Sequence, residues 1–220
     1  LGFEEKDVEK LESVPYYALA EAYAKVSAPI AMKGGYVGGS PLLNDYYFGS
    51  PLECGFREHA YQIPLLIGSV FGEFAFLPES YDKTRLSEKE TREIIAKVYG
   101  EHTDEMIAAF AKAYPGKYAT DLLNVDRVMR QPSKRLAKLH AKGGAGTYLY
   151  NFTLEFPIRH QKIAWHCSDI PFFFHNTDKV EVCGIQGGSD ELEAQMFGAL
   201  MTFVRTGRPG HSGLPQWDAV

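Results

Sequence analysis

The sequence predicts an α/β fold, and three observations carry that reading. Ile63-Pro64-Leu65-Leu66-Ile67-Gly68-Ser69-Val70 is a continuous apolar run ending in Gly and Ser, the pattern of a strand buried on both faces of a parallel sheet. Thr147 to Leu154 is rich in β-branched and aromatic residues and follows the turn Lys142-Gly143-Gly144-Ala145-Gly146, which marks a second strand. The segments between and after them have apolar residues at helical spacing, bounded by capping residues.

Taken in order, Val8, Leu11, Val14, Leu19, Ala22 and Tyr23 show helical spacing broken at Pro15, which predicts two short helices between Val8 and Val26. Pro29 to Gly55 is rich in Gly, Pro and Tyr without a period and reads as a long loop, with turn-favouring residues at Pro41-Leu42-Leu43-Asn44-Asp45. After the first strand, Ser87-Glu88-Lys89-Glu90 matches an S-x-x-E capping box ahead of Ile94, Ile95, Val98 and Tyr99. A second helix carries Met106, Ile107, Phe110 and Tyr114 and stops at Pro115-Gly116. Arg127 to Lys142 alternates charge with Leu136 and Leu139, as a helix with one solvated side does. A loop from Glu155 to Ala164 follows the second strand. Ser189 is expected to cap the last helix, whose apolar face is Leu192, Met196, Leu200 and Phe203. Asp190, Glu191 and Glu193 near its start and Arg205 near its end agree with the helix dipole.

At 220 residues and 45% hydrophobic content the chain is long enough for a sizeable core, in one or two domains by length alone. A net charge of -5 argues against nucleic acid as a partner. No window approaches the roughly 18 apolar residues of a membrane span, and no signal-peptide pattern opens the chain. A start at Leu1 without a methionine leads to the expectation that the true N-terminus lies elsewhere or was removed, and any targeting signal with it. Cys54, Cys167 and Cys183 are too few and too scattered for a disulfide framework, and a cytoplasmic location is favoured on that ground.

The candidate chemistry gathers at Trp165-His166-Cys167-Ser168-Asp169-Ile170-Pro171, followed by Phe172, Phe173 and Phe174. His166 is a candidate general base, because an imidazole accepts and returns a proton near neutral pH. The plainer alternative is a histidine that only hydrogen-bonds a backbone group, and the local sequence does not decide between them. Glu73 comes three residues after the first strand, where functional residues of open α/β sheets collect, although a solvated loop carboxylate would look the same. Asp169 is the competing acid, but its short separation from His166 suits a local turn or helix cap better. Cys167 is a poor nucleophile for His166, since sequence neighbours point their side chains apart. His160, His166 and Cys167 lack the close spacing of a metal set, so no metal is expected. The three phenylalanines suggest an apolar wall.

Three stretches, Ile163 to Phe174, QMFGALMTFVRTGRP and IPLLIGSVFGEFAFL, resemble the type B carboxylesterases, the α/β-hydrolase branch that includes para-nitrobenzyl esterases and cholinesterases. The resemblance runs from about Leu1 to Trp217 and corresponds to the back portion of that family. It implies that residues 1–220 are the C-terminal portion of a single α/β-hydrolase domain, a mostly parallel sheet flanked by helices without its nucleophile-elbow half. Position by position, His166 matches the family's catalytic histidine and Glu73 its triad acid. The family's serine lies in a G-x-S-x-G elbow upstream of the acid and has no match here, nor do the oxyanion-hole glycines. The nearest imitations, Gly38-Gly39-Ser40, Gly187-Gly188-Ser189 and Gly210-His211-Ser212, lack the closing glycine and read as loop and cap. Pro41 to Asp45 also departs from the family's P-x-x-D-G turn.

The implied reaction is hydrolysis of a small-molecule carboxylic ester through an acyl-enzyme. An upstream serine attacks, His166 moves the proton, Glu73 orients the imidazole, and no cofactor is needed. The contrasting readings are an inert fragment and a cholinesterase-like binding relative that keeps the fold and has lost catalysis. A chain without the central strands exposes the edge of the strand beginning near Ile63, so the N-terminal portion or a second copy is expected to cover it.

Overall fold

The computed structural model describes residues 1–35, 38, 41–75 and 79–220, which fall into two units, Leu1–Gly49 and Ser50–Val220. In the first unit a 3-10 helix, Glu5–Ser13, opens with the Glu4 N–H donating to Asp7, and Pro15 separates it from α1 (Tyr16–Met32). The break falls at Pro15 as the spacing predicts, but α1 is long and runs through Pro29 into the predicted loop. Pro29 lies in the last turn, so it removes one hydrogen bond and leaves the preceding turns intact. The turn at Pro41–Asp45 forms just beyond, where the Asn44 carboxamide oxygen accepts from the N–H groups of Tyr46 and Tyr47 at 2.8 and 3.0 Å. Gly39 and Ser40 of the first elbow imitation lie outside the described residues.

The second unit is built on two strands, β1 (Leu65–Val70) and β2 (Thr147–Phe152), paired in parallel from Leu65 opposite Thr147 to Val70 opposite Phe152. A short helix, α2 (Pro51–Cys54), again inside the predicted loop, and the 3-10 turn Glu58–Gln62 just after it precede them. Parallel strands need a crossover, here supplied by α3 (Glu88–Tyr99), α4 (Thr103–Ala113) and α5 (Arg130–Ala141). The Ser87–Glu90 capping box of α3 is present, and α4 stops at Tyr114-Pro115-Gly116. Three backbone N–H groups entering α5 donate to the buried Asp126 carboxylate.

The predicted loop from Glu155 to Ala164 is instead a small hairpin, β3 (Glu155–Phe156) against β4 (Lys162–Ile163). Its turn is left-handed. Arg159, His160 and Gln161 have φ of 45, 62 and 63°, and the Lys162 N–H closes onto the Ile158 carbonyl at 2.9 Å. Each such residue costs about 1–2 kcal/mol without glycine, which is why alternation alone does not announce this hairpin. Two helices follow, α6 (Ile170–Phe173) and α7 (Ser189–Thr206), packed on each other. Ser189 does not cap α7. Gly188 holds the cap position, and the Ser189 hydroxyl donates to the Cys183 carbonyl while accepting from the Ile185 N–H.

The core lies against the β1–β2 pair and is largely aromatic, with Phe71, Phe110, Phe152, Phe156 and Phe172 buried beside Val70, Ile95 and Ile163. Burying each such ring contributes about 1.5–3 kcal/mol. The sheet is open on both sides. Leu65 to Gly68 remain half-exposed where the sequence predicts full burial, because β1 has a strand neighbour on one edge only. On the outer edge of β2 the Val220 N–H donates to the Thr147 carbonyl at 2.8 Å.

A fully buried charge pair sits inside this unit. Lys83 Nζ lies 2.6 Å from Asp121 Oδ1, with both side chains 1% exposed. Burial pushes the Asp121 carboxyl up from its usual range, and the Lys83 ammonium pulls it back. Lys83→Met is therefore expected to destabilise the protein by about 3–5 kcal/mol at neutral pH in urea unfolding, whereas Lys83→Met with Asp121→Leu recovers most of the loss. Without Lys83 the folded Asp121 holds its proton to higher pH than the unfolded chain. The deficit of the single variant should then shrink as pH falls through the folded value, and a deficit independent of pH would contradict this account.

Candidate functional site

The chain leaves β1 at Val70 and turns so that Phe71 N–H still pairs with the Phe152 carbonyl, at 2.8 Å. Gly72 N–H then donates to the Ala164 carbonyl at 3.0 Å, and Gly72 bridges in parallel to Trp165. Only glycine fits there, since a Cβ would come within 2.8 Å of the Asn124 carbonyl oxygen and of the Ile163 side chain. That approach places Glu73 beside His166.

The two residues are joined twice. The His166 N–H donates to the Glu73 carbonyl at 3.0 Å, and His166 Nδ1 lies 2.8 Å from Glu73 Oε2. The other carboxylate oxygen accepts from the Val70 N–H at 3.0 Å, so Glu73, 7% exposed, is fixed at both oxygens. A carboxylate only accepts, so Nδ1 carries the proton of this bond and Nε2 keeps a free lone pair. The His166 side chain is 56% exposed, which leaves Nε2 open to a reacting group.

Asp169 plays a different part. Its Oδ2 accepts from the Tyr150 hydroxyl at 2.8 Å, and it makes no side-chain cap to α6. Burial, reinforced by the nearby Asp169 and Glu73 charges, pushes the Tyr150 phenol far up, so it stays a donor. The Tyr150 ring lies over Gly68, where a Cβ would meet it at 2.3 Å. Neither the tyrosine nor the glycine stands out in the sequence, because the contact joins facing strands and the turn beyond them. It becomes legible only with the β1–β2 register.

The other sequence candidates are not drawn to His166. Cys167 is exposed at φ 66°, and Cys183 is buried. His160 pairs with Asp82 at 3.1 Å. Ser189 is buried in its backbone bonds, and the backbone around His211 is a local turn, with Gly213 N–H donating to His211 Nδ1 at 3.1 Å. Of the three phenylalanines, Phe172 belongs to the core, Phe173 lines a 370 Å³ cavity with Tyr150, Leu192 and Trp217, and Phe174 is exposed. The apolar wall expected from the run is thus split among three environments. Among the described residues no group of His, Cys, Asp and Glu side chains is arranged to hold a metal ion, and no helix is long and apolar enough to cross a membrane.

Solved structures resemble this fold. An esterase from anaerobic Clostridium hathewayi, which can hydrolyse aliphatic aromatic polyesters, is 49% identical with a TM-score of 0.91, covering 99% of this chain and 44% of that one. The Geobacillus stearothermophilus carboxylesterase EST55 is 28% identical with a TM-score of 0.59, covering 99% and 46%. A thermophilic para-nitrobenzyl esterase is 22% identical with a TM-score of 0.62, covering 99% and 45%, and supports the fold alone. The chain thus spans less than half the length of each, and its fold is part of an α/β-hydrolase. No curated protein sequence matches it significantly. The model of the carboxylesterase family matches residues 2–220, and the chain belongs to that family.

Proposed function

We propose that this chain supplies the acid and the base of a serine ester hydrolase, with Glu73 as the acid and His166 as the base. The observation that carries the reading is the 2.8 Å contact between Glu73 Oε2 and His166 Nδ1 with Nε2 left open. In that tautomer His166 takes the proton of an attacking hydroxyl at Nε2 and returns it to the departing alcohol. Glu73 holds the ring and stabilises the imidazolium between those steps. The serine and the oxyanion donors are assigned to the portion of the relatives' length that this chain does not span. Both units, residues 1–220, are read as the C-terminal portion of one α/β-hydrolase domain.

The open edge of β1 supports the partner reading. Leu65 and Phe71 N–H groups point to β2, so the backbone of Leu66 and Gly68 points away from it. The N-terminal portion of the same protein is the proposed cover for that edge, and self-association the alternative. As substrate we assign a carboxylic ester. Esters of aromatic acids are the first to test, given the polyester activity of the 49% identical relative.

In the complete protein, Glu73→Gln should lower kcat by on the order of 10⁴-fold while the protein stays folded, because the wrong tautomer is then held. Asp169→Asn should cost far less. A Glu73→Gln variant within about tenfold of the parent would sink the triad assignment. A fluorophosphonate should label the complete protein and leave the 220-residue chain alone unlabelled. Co-expression with the N-terminal portion should give a co-purifying complex. A sharply monomeric 24.6 kDa species that ignores that portion would overturn the partner reading.

A further inference from the structure

The left-handed turn between β3 and β4 borders a cavity of 260 Å³ walled by Ile158, Arg159, Lys162, Trp165 and Val182. Its chemistry is uneven in a way that selects a ligand. Ile158, Val182 and Trp165 supply apolar lining, while Arg159 and Lys162 are the two cationic residues among the lining. The acids around it are already matched. Glu79 sits 3.5 Å from the buried Lys162 ammonium and also accepts from Asn124, and Asp82 lies 3.1 Å from His160 and 3.3 Å from Arg85. Arg159 has no carboxylate partner among the described residues and is left as the uncompensated charge of the group.

The frame holding Arg159 is fixed rather than loose. Three successive residues sit at positive φ, closed by the Lys162 N–H to the Ile158 carbonyl and tied at His160 to Asp82 and at Lys162 to Glu79. Strained backbone held by its surroundings is often found at binding sites. Trp165 links this cavity to the candidate site, because it immediately precedes His166 and its backbone bridges to Gly72, next to Glu73. An arginine and a tryptophan lining one small, partly apolar cavity suit a carboxylate borne on a flat apolar body, since arginine pairs with carboxylates bidentately.

We propose that this cavity is a carboxylate-binding subsite with Arg159 as its recognition residue, taking the free acid group of an aromatic or apolar acid. Resting on the ester-hydrolase reading, the consequence is a preference for half-esters of dicarboxylic acids, molecules with one ester and one free carboxylate. Binding itself does not depend on that reading. The test is made on the complete protein, with binding read by isothermal titration calorimetry. There benzoate should bind saturably and at least about tenfold more tightly than the neutral isostere benzamide. Added salt should weaken the benzoate response. Arg159→Gln should erase the difference between acid and amide, and Arg159→Lys should restore part of it. Equal binding of the two probes, no saturable binding of benzoate, or an unchanged preference in Arg159→Gln would each overturn the proposal. In the complete protein, Arg159→Gln should lower kcat/KM for monomethyl terephthalate about tenfold and leave dimethyl terephthalate unaffected. If neither ester is cleaved, the hydrolase reading fails while the binding result stands on its own.

Discussion

The approach of two backbones at Gly72 is the constraint on which the rest of the structure depends. Glu73 and His166 are 93 residues apart, and no local sequence effect brings them together. What does so is the pairing of β1 with β2, continued beyond both strands by Phe71 to Phe152 and Gly72 to Ala164. A side chain at residue 72 would push the two segments apart by pressing on Asn124 and Ile163. The imidazole and carboxylate would then lose hydrogen-bond range, because such bonds weaken steeply beyond their usual lengths. The site is thus a consequence of sheet register, and the side-chain bond between Glu73 and His166 is set by the main-chain bond beneath it.

Packing keeps that register rigid. Trp165 leans on Phe156 at 4.5 Å between ring centroids, and Phe152 packs on Phe172 at 5.3 Å, so the residues flanking His166 on both sides are anchored in one aromatic cluster. Tyr150 adds a polar anchor by donating to Asp169 from the strand that Gly68 allows it to overlie. These buried contacts outweigh surface charge pairs such as Arg92 with Asp104. That pair has good geometry, but its side chains are exposed and solvent screens it. Mobility at the site should therefore be confined to the exposed imidazole edge rather than shared by its frame.

Much of this was legible from the chain because local rules and packing agree. The apolar run at Leu65–Val70, the Ser87 capping box and the Pro115-Gly116 stop each have a single cheap conformation, and the structure adopts it. Glu73 and His166 stood out through the family resemblance, with strand ends as the physical support. The misreadings share a cause. Pro29 suggested a loop, yet a proline in a last turn costs only one hydrogen bond. Ser189 suggested a cap, yet a buried loop carbonyl at Cys183 claimed its hydroxyl. The β3–β4 hairpin was hidden because its turn uses Arg, His and Gln where glycine or asparagine would announce it. In each case the residue type alone did not fix the local conformation.

The same logic explains how His166 is presented. The Ser168 N–H donates to the Trp165 carbonyl at 2.9 Å, so His166 and Cys167 are the two central residues of a tight turn. Cys167 has φ 66° at the position where such turns favour glycine. The turn is held regardless, because the Ser168 hydroxyl accepts from the Trp165 N–H at 3.1 Å and Asp169 is pinned by Tyr150 on its far side. A tight turn after an extended segment throws its first central side chain outward. That exposes the imidazole edge while the backbone on either side returns to the core at Ala164 and Phe172. The corner between strand and helix is the place in this unit where an imidazole can be bound to a buried carboxylate through one nitrogen and still offer the other to a substrate.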